Sequence, residues 1–222
     1  MFHHVHPYPP FLFPETKKLI VGTLPPPRFS TKRLKAGDVD FSYGSKDNLL
    51  WPILDRIFEL GLYFETSEHA ILQRKEFLKK RHIGICDIVQ SAERSDDNAS
   101  DLGMRSVVLR DVLGHLREYP KIETILFMGG NSKNGPEYFF RKQLKVNGAT
   151  LEVVSEKVPR IHRFKVDGRS INTVSLTAPS GAANRAIGSM PEYKALKLKQ
   201  PYFNTFDYRV RQYASFFMPF QS

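Results

Sequence analysis

Short apolar runs alternate along this chain with segments whose apolar residues recur every three or four positions. The runs are typical of buried strands, and the recurring pattern is typical of helices that cover a sheet. Strands are predicted at 19–22, 83–89, 123–128, 151–154 and 171–177, and helices at 50–60, 67–80, about 107–116, from about 136, and at 204–218. This alternation predicts an α/β protein with a parallel sheet covered on both faces, whose ligands bind outside the carboxyl ends of the strands.

The remaining segments have weaker patterns. Residues 1–18 are rich in His, Pro and Phe and are predicted to form an extended arm packed on the domain. Residues 91–103 are acidic and turn-forming, which predicts a loop, and the basic segment 160–165 reads as either an edge hairpin or a phosphate-contacting loop. With 222 residues the chain is long enough for one substantial core, so residues 1–222 are predicted to form a single domain.

Composition changes this picture mainly through charge. The 33 Lys and Arg exceed the 23 Asp and Glu, which gives a net charge of +10 and favours a nucleic-acid partner, although many basic proteins have no such partner. The single Cys86 cannot form an internal disulfide, and the sequence opens without a signal-peptide pattern. We therefore expect a cytoplasmic protein with no membrane contact, and nothing in the sequence suggests more than a monomer.

Two loops are the best candidates for a binding site. The run that ends at Gly22 is followed by three prolines, so neither strand nor helix can continue past Thr23. The segment 41–48 lies directly before a predicted helix, where free N–H groups favour anionic ligands. The glycine turn at 129–132 has neither the phosphate-loop pattern nor the dinucleotide pattern, so a nucleotide-triphosphate or NAD site is rejected there.

The residues of these loops also resemble those of a known family. Gly-Thr-Leu-Pro at 22–25, the aromatic-x-x-x-x-Asn-x-x-Trp pattern at 43–51, the strand 84–89 and the Pro-Ser loop within 176–185 occur in that order. Together they resemble the uracil-DNA glycosylase superfamily, particularly its mismatch-specific and hypoxanthine-excising branches. The resemblance implies a three-layer α/β/α fold with a central, mainly parallel four-stranded sheet.

The resemblance also implies roles for individual residues. Tyr43 would stack on an extruded base, and Asn48 would orient the attacking water. Asp87 would read the base, since an ionised carboxylate accepts hydrogen bonds from a base that presents a donor. The structural alternatives are that Tyr43 packs in the core, that Asn48 caps the following helix, and that Asp87 is a structural carboxylate near Arg94. The first loop would complete the base-binding site with Gly22, Thr23 and Leu24.

The same resemblance assigns the second loop to DNA contact, while Pro-Ser-Gly could equally be a simple turn. The residues concerned are Pro179, Ser180, Gly181, Ala182, Asn184 and Arg185. The chain departs from the family in lacking a polar residue at Leu24, a catalytic His or Asn at Ala178, and a large wedge near Ala182. These losses imply weak activity on ordinary mismatches, or a substrate that is single-stranded, already destabilised or bulky.

The leading hypothesis is a monofunctional, metal-independent DNA glycosylase that needs no cofactor and removes a deaminated base such as uracil or hypoxanthine. Hydrolysis would require an extruded base and a sugar with oxocarbenium character. One alternative is a glycosylase for another modified base, for instance a modified cytosine in foreign DNA. A second is a nucleic-acid-binding module without catalysis. A metal site at His3, His4 and His6 is disfavoured because no Cys or carboxylate lies nearby in the sequence.

Overall fold

The computed structural model describes residues 2–94 and 101–218. In chain order its strands are β1 (Phe2–Val5), β2 (Lys18–Val21), β3 (Ile83–Ile85), β4 (Val89–Arg94), β5 (Arg105–Leu109), β6 (Thr124–Phe127), β7 (Glu152–Ser155), β8 (Arg160–Val166) and β9 (Arg169–Ser175). Its helices are α1 (Pro27–Ser30), α2 (Leu50–Phe58), α3 (Glu68–Lys80), α4 (Val112–Glu118), α5 (Pro136–Val146), α6 (Asn184–Ser189), α7 (Pro191–Lys199) and α8 (Thr205–Phe217). Among the described residues no helix is long and apolar enough to cross a membrane.

The central sheet has six strands in the order β3-β2-β6-β9-β8-β7. Strands β3, β2, β6 and β9 are parallel, whereas β8 is antiparallel to β9 and β7 is antiparallel to β8. The predicted α/β class is confirmed, but the predicted number of four strands is wrong. The two strands beyond the four parallel ones are β7, close to the strand predicted at 151–154, and β8, which lies inside the sheet rather than at its edge.

A tight turn explains how β8 joins the sheet. Asp167 and Gly168 both have positive φ, of 47° and 77°, which is the backbone twist that a two-residue hairpin needs. Along β8, His162, Phe164 and Val166 are buried while Arg163 and Lys165 are exposed. The basic segment is therefore a half-buried strand, because its charges occupy only one face.

Helices cover both faces of the sheet. Successive residues of a strand point to opposite faces, so Leu19 and Val21 pack with α4 and α5, and Ile20 packs with α2, α3 and α8. All three of these β2 side chains are fully buried. Burying an aliphatic side chain of this size contributes about 1.5–3 kcal/mol, so these two apolar clusters are the main force that holds the sheet in place.

A second, three-stranded antiparallel sheet has the order β1-β4-β5. It corrects two predictions: 105–109 is a strand instead of the start of a helix, and 91–94 is a strand instead of a loop. The β-branched pair Val107-Val108 suits a strand, and the helix begins only at Val112, where the Asp111 side chain accepts a hydrogen bond from the Gly114 N–H. Residues 95–100 of the predicted loop lie outside the described residues.

The N-terminal arm is tied to the molecule at two places. Strand β1 pairs with β4, and Phe11 exchanges two backbone hydrogen bonds with Ile85 at the end of β3. Buried His4 accepts a hydrogen bond at Nδ1 from the Nε–H of buried Arg94, 3.0 Å away. Between these attachments the chain carries His6 past the carboxyl end of β3.

The C-terminal part packs as a small helical layer. Ile187 of α6, Tyr193 of α7 and Tyr208 of α8 form a separate apolar cluster. Asn204 caps α8 in a reciprocal arrangement with Asp207, in which each side chain accepts a backbone N–H of the other residue. Helices α6 and α7 have no counterpart among the predicted elements. They follow the loop that leaves β9, so they lie next to the edge where the parallel strands end.

Candidate functional site

A cavity of about 280 Å³ opens at the carboxyl edge of the parallel strands. Its walls come from the loop after β2, the loop before α2, the residues that follow β3 and β6, and the loop after β9. The lining residues are Gly22, Thr23, Leu24, Pro25, Pro26, Arg28, Tyr43, Gly44, Ser45, Asp47, Asn48, Asp87, Met128, Ala178, Pro179 and Ser180. Five segments that are far apart in sequence therefore meet around one space.

Gly22 makes this meeting possible because it lacks a side chain. A Cβ at this position would overlap the Tyr43 hydroxyl and would lie 2.8 Å from Asp87 Oδ1. Neither neighbour is free to move, since each is hydrogen-bonded to the other. The first loop therefore needs glycine where the chain leaves β2, and the prolines that follow keep the loop rigid.

Tyr43 presents its ring to the cavity from an unusual backbone conformation with φ of 59°. Trp51 fixes the loop from beneath, because its buried indole N–H donates to the Ser42 carbonyl at 2.8 Å. The Tyr43 hydroxyl donates to Asp87 Oδ1 at 2.9 Å. Burial raises the pKa of Tyr43 well above its usual value, and the Asp87 carboxylate raises it further, so the phenol stays protonated and remains a donor.

Asp87 lies at the inner end of the cavity and is only 6% exposed. Its Oδ1 accepts from the Tyr43 hydroxyl and from the Gly22 N–H at 3.0 Å, and its Oδ2 contacts His6 Nε2 at 2.9 Å. A carboxylate has about four lone-pair sites, so three of them serve the protein. Base reading by Asp87 stays a prediction, with one Oδ2 site left for a ligand, and the expected neighbour Arg94 instead contacts His4.

Asn48 lies at the point where two loops meet. Its Oδ1 accepts from the Leu50 N–H at 2.9 Å, so the amide oxygen faces the first turn of α2 and the Nδ2 group is directed away from it. No described residue accepts a hydrogen bond from that Nδ2. Asn48 also pairs with Ser180 as an isolated antiparallel bridge, and the Leu49 N–H donates to the Pro179 carbonyl at 2.8 Å. The amide is therefore held by the helix start and still offers two N–H donors to the cavity.

Arg209 braces the second loop from behind, and sequence reasoning missed it. Its guanidinium is fully buried and donates to the carbonyls of Ala178 at 3.0 Å and Ser180 at 2.7 Å, and to Asn184 Oδ1 at 2.9 Å. Burial lowers the pKa of Arg209, but a guanidinium stays charged in proteins, so Arg209 remains a donor. A signal existed: Arg209 lies on the apolar stripe of α8 between Phe206 and Tyr213, where a charged residue needs buried partners.

The predicted site residues divide into two groups. The structure brings Gly22, Thr23, Leu24, Tyr43, Asn48, Asp87, Pro179 and Ser180 together around the cavity. Four others lie outside the cavity lining. Gly181 and Ala182 are exposed on a 3₁₀ turn, Asn184 contacts Arg209, and Arg185 is exposed on α6. The second loop thus contributes its first half to the cavity and its second half to the neighbouring surface.

Arg28 is a cavity residue that the sequence did not assign to the site. Its side chain is 16% exposed and donates to both oxygens of the buried Asp38 carboxylate, at 2.7 and 2.9 Å. It also donates to Ser45 Oγ at 2.8 Å and lies 3.4 Å from Asp47. Burial alone would raise the pKa of Asp38, but the hydrogen bonds from Arg28 and from the N–H groups of Lys35 and Lys46 lower it to about 2. This ion pair fixes the mouth of the cavity.

Two apolar residues at which this chain departs from the resembled superfamily also lie in the cavity wall. Leu24 and Ala178 both line the space, and Met128 completes the wall at the end of β6. The polar side chains of the cavity wall include the Asn48 amide, the Ser45 and Ser180 hydroxyls and the Asp47 carboxylate. The arrangement can bind a flat, partly polar group, with an aromatic face on one side and N–H donors at the edge.

No protein-family model matches this chain, and no curated protein does so. Among solved structures, the solution NMR structure of a "putative Uracil DNA glycosylase" from Methanosarcina acetivorans is similar, with a TM-score of 0.53 and 19% sequence identity. The similarity covers 94% of this chain and 99% of that chain. The chain therefore shares a mixed α/β fold, along nearly its whole length, with a protein named as a uracil DNA glycosylase.

Proposed function

We propose that this protein is a monofunctional DNA glycosylase that hydrolyses the N-glycosidic bond of a flipped-out deaminated base, uracil or hypoxanthine, in base-excision repair. The observation that carries the proposal is the meeting of Tyr43, Asn48 and the loop 178–180 around one cavity. At about 280 Å³ the cavity lies just below the range of about 300–1,000 Å³ typical for drug-sized ligands. A single nucleobase is a ligand of suitable size.

Base capture would use the Tyr43 ring and the amide of Asn48. Stacking of a base on an aromatic side chain contributes about 1–3 kcal/mol, and it requires a ring that is held in place. The hydroxyl of Tyr43 is anchored on Asp87, so the ring is preorganised before DNA arrives. The Nδ2 donors of Asn48 are complementary to the carbonyl oxygens that deamination introduces into a base. Deaminated bases suit this cavity because these donors can bind their carbonyl oxygens, while the remaining Oδ2 site of Asp87 can accept their ring N–H.

Bond cleavage would proceed through a sugar with oxocarbenium character. The C1′–N bond breaks, its electron pair leaves with the base, and a water molecule adds to C1′ and releases a proton to the base or solvent. Asn48 can orient that water but cannot deprotonate it, because an amide N–H is only a donor. Asp47 adds a negative charge at the cavity mouth, where it would complement the sugar cation. No lysine lies among the described lining residues, so the lining offers no amine for Schiff-base chemistry.

DNA would lie across the edge that carries the cavity. A net charge of +10 favours a polyanion, and Arg185 is exposed on α6 directly after the second loop. Small residues at 181–183 allow a close approach of the phosphate backbone. A large wedge is missing at Ala182, which favours substrates whose base pair is already weakened or absent.

The deciding experiment uses labelled oligonucleotides with uracil, hypoxanthine or modified cytosine, followed by alkaline cleavage of abasic sites. Wild type is expected to release uracil or hypoxanthine, and Asn48→Ala to lose about 100- to 1,000-fold in rate, the range for removing one transition-state donor. Asn147→Ala is the matched control, since Asn147 caps the far end of α5 and its amide donates to the Gln143 carbonyl. Unchanged activity in Asn48→Ala would remove the catalytic assignment.

A second candidate function is a nucleic-acid-binding module without catalysis. The apolar Leu24 and Ala178 in the cavity wall favour it, because each occupies a position where the resembled superfamily often has a polar residue. Base binding without base release from any oligonucleotide of the panel would support this function. Release of modified cytosine alone would instead support the other alternative, in which the remaining Oδ2 site of Asp87 would accept the exocyclic amine.

A further inference from the structure

His6 is buried beside the cavity, and the proposed reaction does not yet use it. Its side chain is 1% exposed, and its Nε2 lies 2.9 Å from Asp87 Oδ2. Its Nδ1 accepts the Tyr8 N–H at 3.1 Å. Since a ring nitrogen that accepts a backbone N–H carries no proton, His6 is neutral and its proton is on Nε2. The imidazole therefore donates to the carboxylate of Asp87.

Asp87 links His6 to the cavity residues through hydrogen bonds. The hydrogen bonds run from His6 to Asp87 Oδ2, and from Tyr43 and the Gly22 N–H to Asp87 Oδ1. Without the imidazole, Asp87 would keep two donors on one oxygen and could rotate about its side-chain torsions. The ring of Tyr43 would follow, because among the described residues its hydroxyl is hydrogen-bonded to Asp87 alone.

The arm is built to hold His6 in place. On one side the His6 N–H donates to the Gln90 carbonyl at 2.9 Å, which continues the pairing of β1 with β4. On the other side Phe11 bridges Ile85 at the end of β3. The imidazole lies between two fixed points, so its approach to Asp87 is set by the fold and not by a mobile terminus.

We propose that His6 is a positioning residue of the base pocket, which orients Asp87 and, through it, the stacking ring of Tyr43. This inference rests on the proposed function for its effect on base release. The network itself can be tested without any activity. In this arrangement the first role of Asp87 is to anchor Tyr43, and the N-terminal arm, which carries His6, is part of the active site.

The first test is spectroscopic and uses the full-length protein labelled with ¹⁵N at histidine. Long-range ¹H–¹⁵N correlation spectra distinguish the two neutral tautomers and the charged imidazolium of His6. The expected result is a neutral ring with its proton on Nε2. A proton on Nδ1, or a charged ring at neutral pH, would overturn the proposal whatever the enzyme does to DNA.

The second test compares variants of His6 by base release and by binding of an uncleaved oligonucleotide. In the binding probe a 2′-fluoro substituent destabilises the sugar cation and prevents hydrolysis. His6→Ala is expected to lower kcat/KM and probe affinity about tenfold, while affinity for an unmodified duplex stays within about twofold. His6→Gln is expected to restore most of the loss, because its amide N–H can donate to Asp87.

Controls separate positioning from a general loosening of the arm. His4→Ala removes another buried imidazole of the same arm, but His4 contacts Arg94, away from the cavity. It should leave kcat/KM near the wild-type value at temperatures where the variant is folded. Equal losses in His4→Ala and His6→Ala, or no rescue by His6→Gln, would refute a positioning role.

A double-mutant cycle tests the link to Tyr43. Tyr43→Phe keeps the ring and removes the hydroxyl, so it breaks the same chain of contacts at its other end. The combined His6→Ala/Tyr43→Phe variant is expected to bind the uncleaved probe about as weakly as either single variant. Additive losses would show that the two residues act independently. If wild type releases no base from any oligonucleotide, the proposed function fails, while the tautomer and the binding cycle still decide this proposal.

Discussion

At the scale of single residues, the backbone of Tyr43 explains why the site needs so many supports. A non-glycine residue with φ of 59° is strained, and surrounding contacts must hold it there. The hydroxyl bond to Asp87 and the Trp51 bond to Ser42 supply such contacts. Strain of this kind often marks functional positions, and it belongs here to the residue that we propose stacks on the base.

Replacing Tyr43 should therefore affect base capture more than duplex binding. Tyr43→Ala is expected to weaken binding of the uncleaved oligonucleotide about 10- to 100-fold, because stacking contributes about 1–3 kcal/mol. Affinity for an unmodified duplex should change little, since phosphate contacts supply most of it. Fluorescence anisotropy with both probes measures the two affinities.

Tyr63→Ala is the control for this prediction, because the side chain of Tyr63 is 53% exposed and lies outside the cavity lining. Its binding to either probe should equal that of wild type. Equal losses for both probes in Tyr43→Ala would show that Tyr43 supports the fold, which is the structural alternative for this residue.

Single residues also explain which parts of the site the sequence could not reveal. Tyr43 and Asn48 belong to a local pattern of six residues that a resemblance can detect. His6 meets Asp87 across 81 residues, and Arg209 meets the second loop across about 30, so no local spacing records either contact. Arg28 and Asp38 are only ten residues apart, but the basic and small residues around them do not indicate that Asp38 is buried. Contacts between distant single residues require coordinates.

At the scale of elements, the apolar pattern identified the helices and strands that are buried on one face or on all sides. Helices α2, α3 and α5 and strands β2, β6 and β9 occur close to their predicted positions. The strand predicted at 83–89 is divided, because β3 ends at Ile85 and β4 begins at Val89. Strand β5 was misread because Val107 and Val108 were combined with Val112 and Leu116 into one helical period. For β8 the sequence left two alternatives open, an edge hairpin and a phosphate-contacting loop, although Asp167-Gly168 is a strong hairpin signal. Both cases concern antiparallel strands, whose partners decide their structure.

The N-terminal arm should respond to mild acid through His4. Burial, and then the nearby Arg94, lower the pKa of His4 to about 4 from the usual 6.5. The folded state thus prefers the neutral ring, so its stability is complete above about pH 6.5 and falls as the pH decreases towards 4. The difference in pKa corresponds to a loss of at most about 3 kcal/mol.

Thermal unfolding at several pH values, together with amide exchange of residues 2–6, measures this effect. His4→Asn keeps an acceptor for Arg94 and removes the titrating group, so its stability should change less between pH 6.5 and 4. A wild-type curve that is flat over this interval, or identical curves for the two proteins, would contradict the prediction.

At the scale of the whole molecule, the fold brings the segments of the candidate site together at one edge of the sheet. The four parallel strands end together, and each of the segments that follow them contributes to the cavity lining. The carboxyl ends of parallel strands are the usual place for ligands in open α/β sheets. That location was predictable from the alternation of strands and helices, whereas the six-stranded sheet and the helical layer of α6 and α7 were not.

The position of the positive charges should determine how strongly DNA affinity depends on salt. A protein that contacts DNA phosphates releases counterions, so its affinity falls with salt at a slope set by the number of contacts. Arg185 follows the second loop at the cavity edge, and its replacement should remove one such contact. Arg185→Ala is expected to reduce the slope of log affinity against log salt by about 1.

Lys145→Ala is the matched control, because it makes the same change in charge at the other end of the molecule. Helix α5 starts after the carboxyl end of β6 and must return to the opposite edge, since β7 runs in the same direction as β6. Its last turn, which carries Lys145, therefore lies far from the cavity. If the overall charge of +10 alone drives binding, both variants will reduce the slope equally. If DNA lies across the cavity edge, only Arg185→Ala will do so.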